Sequence, residues 1–179
     1  MRIRKIILII ILLILSTGCK FRYEIEIIDD EVTEKRTMLI NNNEIENNDI
    51  KGTIRKKISK YSINDDMMIA PSTKVVKETN NSGYQTITTY KISDYKNSDI
   101  LNMCYTSYNI IKEDSKIYLT TGRKFTCFDT LEELESVEVI FKTNHEVIKH
   151  NADKVEDNKY TWYITKNNAK NKPINIELS

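Results

Sequence analysis

The sequence predicts an α+β fold in which a curved, mostly antiparallel sheet packs on one or two helices. Short segments with apolar residues at every second position, joined by tight polar turns, are typical of antiparallel strands. One segment has apolar residues three or four positions apart, which is typical of an amphipathic helix. A sheet with one apolar face needs a cover, and we expect the helices to provide it.

The first 18 residues have the features of an export signal. Three basic residues lie within residues 2–5, and ten uninterrupted apolar residues follow from Ile6 to Leu15. Ten helical residues span about 15 Å, half of a bilayer core, so this segment is too short for a comfortable permanent span. We therefore expect residues 1–18 to be a signal peptide and residues 19–179 to form a single extracytoplasmic domain.

A cysteine follows small residues at the end of this leader, in the order Ser16-Thr17-Gly18-Cys19. This order resembles the lipobox of bacterial lipoproteins, in which a diacylglycerol alkylates the cysteine thiol and the preceding peptide is cut away. Leu15 stands one position further from Cys19 than in the commonest pattern, so only the tolerant form of the motif fits. The alternatives are an uncleaved anchor helix or an ordinary signal cut elsewhere. We expect a lipid anchor on Cys19 that holds the domain on the extracytoplasmic face of the cell membrane.

Composition excludes several classes of function for the part after the leader. The 179 residues include 27 basic and 26 acidic ones, and removing the leader leaves 24 basic against 26 acidic residues. This balance provides no positive field for nucleic acid. The sequence after the leader has the length of one domain and contains no second apolar span, which excludes a multi-span membrane protein.

The first predicted elements are a hairpin and a helix. Apolar and charged residues alternate in residues 21–28, Asp29-Asp30-Glu31 can turn the chain, and residues 32–40 can return as a second strand. After a polar loop, the helix is predicted from Asp49 to Ser62. Its apolar face consists of Ile50, Ile54, Ile58 and Tyr61.

The predicted helix also carries a basic side. Its basic residues are Lys51, Arg55, Lys56, Lys57 and Lys60. They could attract anionic lipid headgroups, as basic surface helices do. A solvated face is the favoured interpretation, because acidic residues flank the segment on both sides.

The rest of the chain predicts further short strands. They cover residues 72–79, 84–92, 105–112, 116–121, 124–128, 137–143, 160–165 and 174–178. The first two surround Asn80-Asn81-Ser82-Gly83, a predicted turn with a glycine suited to positive φ. A short second helix is predicted within residues 94–103.

Three segments carry a family resemblance that extends over roughly the whole mature chain: Gly18-Cys19, Tyr23 to Ile27, and the run NADKVEDNKYTW from Asn151 to Trp162. They resemble a group of bacterial lipoproteins related to the mycobacterial LppM type. The resemblance implies an α+β domain with a curved sheet on helices, able to enclose an apolar cavity and so to hold a lipid or another amphiphile. Relatives often end in a transmembrane helix and a basic tail, whereas the last residues of this sequence, 174–179, resemble neither. The resemblance implies no catalytic residues.

Cys104 and Cys127 are the other two cysteines. Outside the cytoplasm they could form a disulfide, and closing a loop of about 24 residues would stabilise the fold by roughly 3 kcal/mol in the chain-entropy model. Two buried thiols in a reducing habitat are the alternative, and the sequence leaves both open. Neither cysteine lies in a C-x-x-C pair, so a redox enzyme is not indicated.

The sequence contains no recognisable motif for catalysis, a metal or a cofactor. The two histidines, His145 and His150, are five positions apart, which does not place both on one face of a helix or a strand. A glycine-rich phosphate loop and a G-x-S-x-G motif are also absent from the sequence. We therefore expect a non-enzymatic protein without a metal or cofactor.

These observations favour a membrane-tethered domain that binds a lipid or another amphiphile. Ile54 and Ile58 of the helix and Trp162 of a late strand are expected to line an apolar interior, although the same residues would equally fill a solid core. The alternative is a surface interaction or structural lipoprotein that binds a protein partner or a cell-wall polymer through a sheet edge and exposed tyrosines. The tyrosines could also be ordinary strand residues.

Overall fold

A computed structural model describes residues 18–59, 74–97 and 104–179, and all but Gly18 of the predicted leader lies outside these ranges. The strands of a seven-stranded sheet are β1 (Cys19–Ile28), β2 (Glu31–Asn41), β3 (Lys74–Lys77), β4 (Asn81–Lys91), β7 (Leu134–Thr143), β9 (Lys154–Glu156) and β10 (Lys159–Thr165). The strands of a four-stranded sheet are β5 (Tyr108–Glu113), β6 (Lys116–Thr121), β8 (Val147–His150) and β11 (Asn175–Leu178). The α-helices are α1 (Ile50–Ser59) and α2 (Cys127–Thr130), and a 3-10 helix covers Ile92–Asn97.

The larger sheet has the strand order β3-β4-β2-β1-β7-β10-β9, and the smaller has the order β5-β6-β11-β8. The central pair β1 and β7 is parallel, and every other described pair is antiparallel. The prediction of a sheet-dominated α+β domain with mostly antiparallel pairing is confirmed in this form. Among the described residues, no helix is long and apolar enough to cross a membrane.

The tight turns between strands lie where acidic and amide residues predict them. Asp29, Asp114, Asp157 and Asn158 have φ between 47° and 58°, which Asp and Asn tolerate better than other side chains. They close the hairpins β1–β2, β5–β6 and β9–β10. Local turn chemistry therefore sets the register of these three strand pairs.

Gly83 has a different role from the predicted one. The turn lies earlier, between β3 and β4, where the Glu78 N–H donates to the Asn81 carbonyl oxygen (2.7 Å). Gly83 is inside β4, and no described glycine has a positive φ. A Cβ atom on Gly83 would lie 1.7 Å from the Met38 carbonyl oxygen. The glycine is therefore required by the close approach of β4 to β2 and not by a turn.

A second sheet, and not the helices, covers most of the larger sheet. The face of the larger sheet that carries Tyr23, Ile25 and Ile27, here called the inner face, packs in one core with apolar residues of the smaller sheet such as Leu119 and Ile176. α1 packs on the same face at one end only, against Met38, Ile40 and Tyr84. The expectation that one curved sheet packs on one or two helices is wrong in this respect. The pairing of β6 with β11, distant in sequence, creates the second layer.

Four segments differ from their predicted secondary structure. Residues 124–128, predicted as a strand, form a single bridge at Phe125 and the start of α2. The second helix, predicted at residues 94–103, is represented by the 3-10 helix Ile92–Asn97, and residues 98–103 lie outside the described part. β8 and β9 are short and exposed, and no alternating pattern predicted them.

Candidate functional site

Cys19, the predicted lipidation site, is the first residue of β1. Its N–H donates to the Glu133 carbonyl oxygen (2.8 Å), and it is paired with Leu134 of β7. Its side chain is 4% exposed and packs in a small cluster with Met38, Ile40, Ile54 and Tyr84. Lipidation stays a prediction, but the first described strand begins at the predicted lipidation site, so no linker separates Cys19 from β1.

The junction with the leader lies in a hollow of about 470 Å³ beside Cys19. The hollow is lined by Gly18, Glu132, Glu133, Leu134, Glu135, Thr165, Lys166 and Asn167. The Gly18 N–H donates to the Glu135 carboxylate (2.9 Å), and a Cβ on Gly18 would lie 1.9 Å from Glu135 Cγ. The small residue before Cys19 therefore fits the packing of the folded domain, besides matching the predicted lipobox.

The structure joins Cys104 and Cys127 by a disulfide, one of the two alternatives that the sequence left open. The bond fastens the chain before β5 to the start of α2. Both the N–H and the hydroxyl of Thr126 donate to the Cys104 carbonyl oxygen (2.6 and 3.0 Å). Tyr105 and Phe125 also stack edge-to-face, with ring centroids 5.2 Å apart. The disulfide is therefore one part of a tightly connected corner of the core.

Removing this disulfide is expected to destabilise the domain without unfolding it. The double variant Cys104→Ala/Cys127→Ala should lower the free energy of unfolding by about 3 kcal/mol, because the unfolded chain regains the entropy of an open loop. Thermal unfolding followed by circular dichroism measures the change, with a melting temperature expected to fall by roughly 6–12 °C. The parent protein after reduction is the matched control, and an equal melting temperature with and without reductant would contradict the assignment.

Ile54 and Trp162, predicted to line one apolar interior, lie in two separate clusters. Ile54 belongs to the small cluster between α1 and the sheet. Trp162 is fully buried between the two sheets, and its indole N–H donates to the Asn151 side-chain oxygen (2.9 Å). The side chain of Ile58 lies outside the described residues. Contact of these three residues with a ligand stays a prediction.

A buried polar cluster on the inner face was not predicted. Glu34 of β2 is fully buried, and the hydroxyl groups of Tyr90 and Tyr108 donate to its Oε1 atom (2.6 and 3.2 Å). Two residues further, Arg36 donates to the Thr88 hydroxyl (2.9 Å). The signal was present in the sequence, because alternation in residues 32–40 places Glu34 and Arg36 on the same face as the buried residues of β1.

An open groove of about 610 Å³ lies one residue beyond Tyr90 and Tyr108 on their strands. Its lining residues are Asp30, Lys91, Ile92, Ser93, Asn109, Ile110, Ile111, Lys112 and Asp114. Ile92 and Ile110 belong to the main core, whereas Ile111 is 44% exposed. The groove therefore combines an apolar floor with a charged rim.

The rim of the groove contains an ion pair. The Lys112 ammonium donates to Asp30 Oδ1 (2.5 Å), and this hydrogen bond, together with the positive charge, lowers the pKa of the Asp30 carboxyl below its usual value. The neighbouring Lys91 also faces the groove. The rim therefore combines two lysine side chains with the carboxyl groups of Asp30 and Asp114.

The histidines do not come together. The His145 ring nitrogens lie 2.9 Å from the Asp29 carbonyl oxygen and 3.0 Å from that of Ser179, whereas the His150 ring contacts Tyr160. Within the described ranges, no three His, Cys, Asp or Glu side chains are grouped as metal ligands. The expectation of a non-enzymatic protein stays a prediction.

Comparison with known proteins identifies a solved structure with a similar fold. No protein-family model matches the sequence, and no curated protein matches it significantly. The fold is similar to the folded domain of LppM from Mycobacterium tuberculosis, solved by NMR, with a TM-score of 0.58 and 12% sequence identity over 90% of this chain and 91% of that chain. Identity this low shows a shared fold alone. The sequence-based resemblance to the LppM type is thus confirmed for the architecture of the domain.

Proposed function

We propose that the protein is a lipid-anchored lipoprotein whose domain, on the extracytoplasmic face of the membrane, binds a lipid or another amphiphile without catalysing a reaction. The observation that carries this proposal is the groove with an apolar floor and a charged rim. Sites for small ligands are typically concave, mostly apolar and about 300–1,000 Å³ in volume, with a few polar groups that orient the ligand. The groove falls within this range.

The groove suits a molecule with a tail and a polar head. A tail can lie along the exposed Ile111 side chain on the edge strand β5, while Lys112 and Lys91 can contact an anionic or zwitterionic head. The adjacent hydrogen bonds from Tyr90 and Tyr108 to Glu34 hold the ends of β4 and β5 in place. The groove therefore has a base that is fixed by buried polar contacts.

The tether is supported by three observations. A basic segment, an apolar run and small residues precede Cys19 in the order of a lipoprotein signal. Strand β1 begins at that cysteine. The shared fold with the LppM domain agrees with a lipoprotein of that type.

Binding of a protein partner or a wall polymer through tyrosines is the less favoured function. Tyr23, Tyr84, Tyr105 and Tyr108 are buried, and among the tyrosines whose side-chain exposure is described Tyr163 is the exposed one. The face of the larger sheet opposite the inner face is polar around β1, where Arg22 forms ion pairs with both Glu78 and Glu138. Such a face offers little apolar area for an aromatic contact surface.

The tether and the groove are tested separately. Cys19→Ala in the full chain should abolish acyl labelling and move the protein out of the membrane fraction, because the sulfur that carries the diacylglycerol is gone. For binding, residues 19–179 carrying Cys19→Ala are titrated with a fluorescent lysophospholipid below its critical micelle concentration. Ile111→Glu should weaken binding by about tenfold or more, since burial of an isoleucine side chain contributes 1.5–3 kcal/mol.

Ile148→Glu is the matched control for the groove. Ile148 is 49% exposed on an edge strand of the same sheet and does not line the groove. The parent and Ile148→Glu proteins should bind with equal affinity. Absence of lysophospholipid binding in the parent would refute the amphiphile proposal and leave the tether in place.

A further inference from the structure

We infer that the domain lies directly on the bilayer with one defined end toward the lipid headgroups, so that the groove faces away from the membrane that anchors it. This inference rests on the proposed lipid anchor at Cys19. Beyond the proposed function, it names the surface of the domain that contacts the membrane and the side from which a ligand reaches the groove.

The absence of a linker at Cys19 restricts the position of the domain. β1 is paired with β2 and β7 from its first two residues, and the Cys19 N–H is bonded to Glu133. A diacylglycerol on the cysteine sulfur is joined to this strand by only a few covalent bonds. A flexible linker would give each residue about 3.3–3.6 Å of reach, and here the described chain has no such residues after Cys19.

The strand directions identify the end that faces the bilayer. At the anchor end of the larger sheet lie Cys19, Asn41, Asn81, Leu134 and Thr165. At the far end lie Ile28, Glu31, Lys91, Thr143 and Lys159. The registers of β2, β7, β4 and β10 connect these two sets consistently.

Helix α1 lies at the anchor end as well. Ile54 packs in the same cluster as Cys19, so the buried cysteine side chain lies at the end of the sheet beside this helix. Residues 51–60 include five basic and no acidic residues, which suits anionic headgroups. Glu46, which pairs with Lys56, lies near the same end, and so do Glu132, Glu133 and Glu135. This end therefore carries charges of both signs. The short tether, and not charge, therefore determines the orientation.

The groove lies at the far end. Asp30 of its rim lies just after β1, Lys91 is the last residue of β4, and Lys112 of β5 donates to Asp30. Nine steps along β1 at 3.3 Å each place these ends about 30 Å from Cys19. An amphiphile therefore enters the groove from the side opposite the anchoring bilayer, as a dispersed or carrier-delivered molecule.

Quenching of a fluorescent label at each end tests the orientation. The lipid-modified full-length protein is reconstituted in phosphatidylcholine vesicles that contain a headgroup-spin-labelled lipid. One variant is Asn167→Cys, at an exposed site beside the Gly18 hollow, and the other is Ser115→Cys, at an exposed turn next to the groove. The new thiol is the reactive one in each case, because Cys104 and Cys127 are bonded and the Cys19 sulfur is alkylated. The zwitterionic lipid removes attraction by net charge.

The label at residue 167 should lose most of its fluorescence, whereas the label at residue 115 should keep nearly all of it. Equal quenching of the two labels on a protein whose Cys19 peptide carries the diacylglycerol mass would overturn the orientation and leave the anchor intact. A Cys19 peptide of unmodified mass would overturn both the anchor and the orientation. Mass spectrometry of the same sample distinguishes these outcomes.

Discussion

Trp162→Ala is expected to lower the free energy of unfolding by about 3–5 kcal/mol, a large part of the stability of a domain of this size. Trp162 is the sole tryptophan and is fully buried between the two sheets. It lies beside Val139 of β7 in the larger sheet. Truncation leaves a cavity that packed strands cannot fill, because both sheets are fixed by their hydrogen bonds. Urea denaturation followed by circular dichroism measures the loss, since the variant has no indole fluorescence.

Two control variants separate packing from hydrogen bonding. Trp162→Phe keeps an aromatic ring in the core and should cost less than alanine. The Asn151 oxygen that accepts from the indole also accepts from the Asn175 N–H (2.9 Å), so in Trp162→Phe this oxygen keeps a hydrogen-bond partner.

Tyr163→Ala, at an exposed neighbour, should change the stability by no more than about 0.5 kcal/mol. Equal effects of the alanine variants at residues 162 and 163 would show that Trp162 is not a core residue.

Ile54→Asp is expected to detach α1 while both sheets remain folded. A carboxylate in the apolar cluster with Met38, Ile40 and Tyr84 would be buried without a designed partner, at a cost of several kcal/mol. The cluster is separate from the core between the sheets, so undocking of the helix limits the loss. Hydrogen exchange should therefore increase strongly in residues 50–59 and remain slow in β7 and β10.

Lys51→Asp provides the matched control on the same helix. Lys51 is exposed, so the new carboxylate stays in water, and the amide protection of α1 should match that of the parent. Loss of protection throughout β7 in Ile54→Asp would contradict the separation of the two clusters. It would mean that the helix cluster and the core between the sheets unfold as one cooperative unit.

Several elements were predictable because their signals are local. The alternation in residues 21–28 predicted β1, and the spacing of isoleucines predicted α1 within a few residues of its observed ends. Asp29 marked the first turn because acidic residues tolerate positive φ. Trp162 was expected in an apolar interior on the strand predicted at residues 160–165, and the register places it beside Val139.

The groove and the hydrogen-bond partners of the polar cluster were not predictable in the same way. The groove residues come from three separate segments around residues 30, 91 and 111, and only the pairing of the sheets brings them together. Glu34 is buried because Tyr108, from the second sheet, closes over it. Gly83 was also predicted wrongly, as a turn residue. A side chain at this position would clash with the backbone of Met38, which is far away in sequence.

The amino-acid sequence by itself determined the alternating strands, the hairpin turns, the amphipathic helix and the predicted lipobox at Cys19, because each depends on neighbours within a few residues. The tertiary structure decided which surface covers the sheet, which polar groups are buried, where the groove lies and that Cys104 is joined to Cys127. These features depend on pairing between strands distant in sequence, such as β6 with β11, and such pairing leaves no periodic signal in either strand alone.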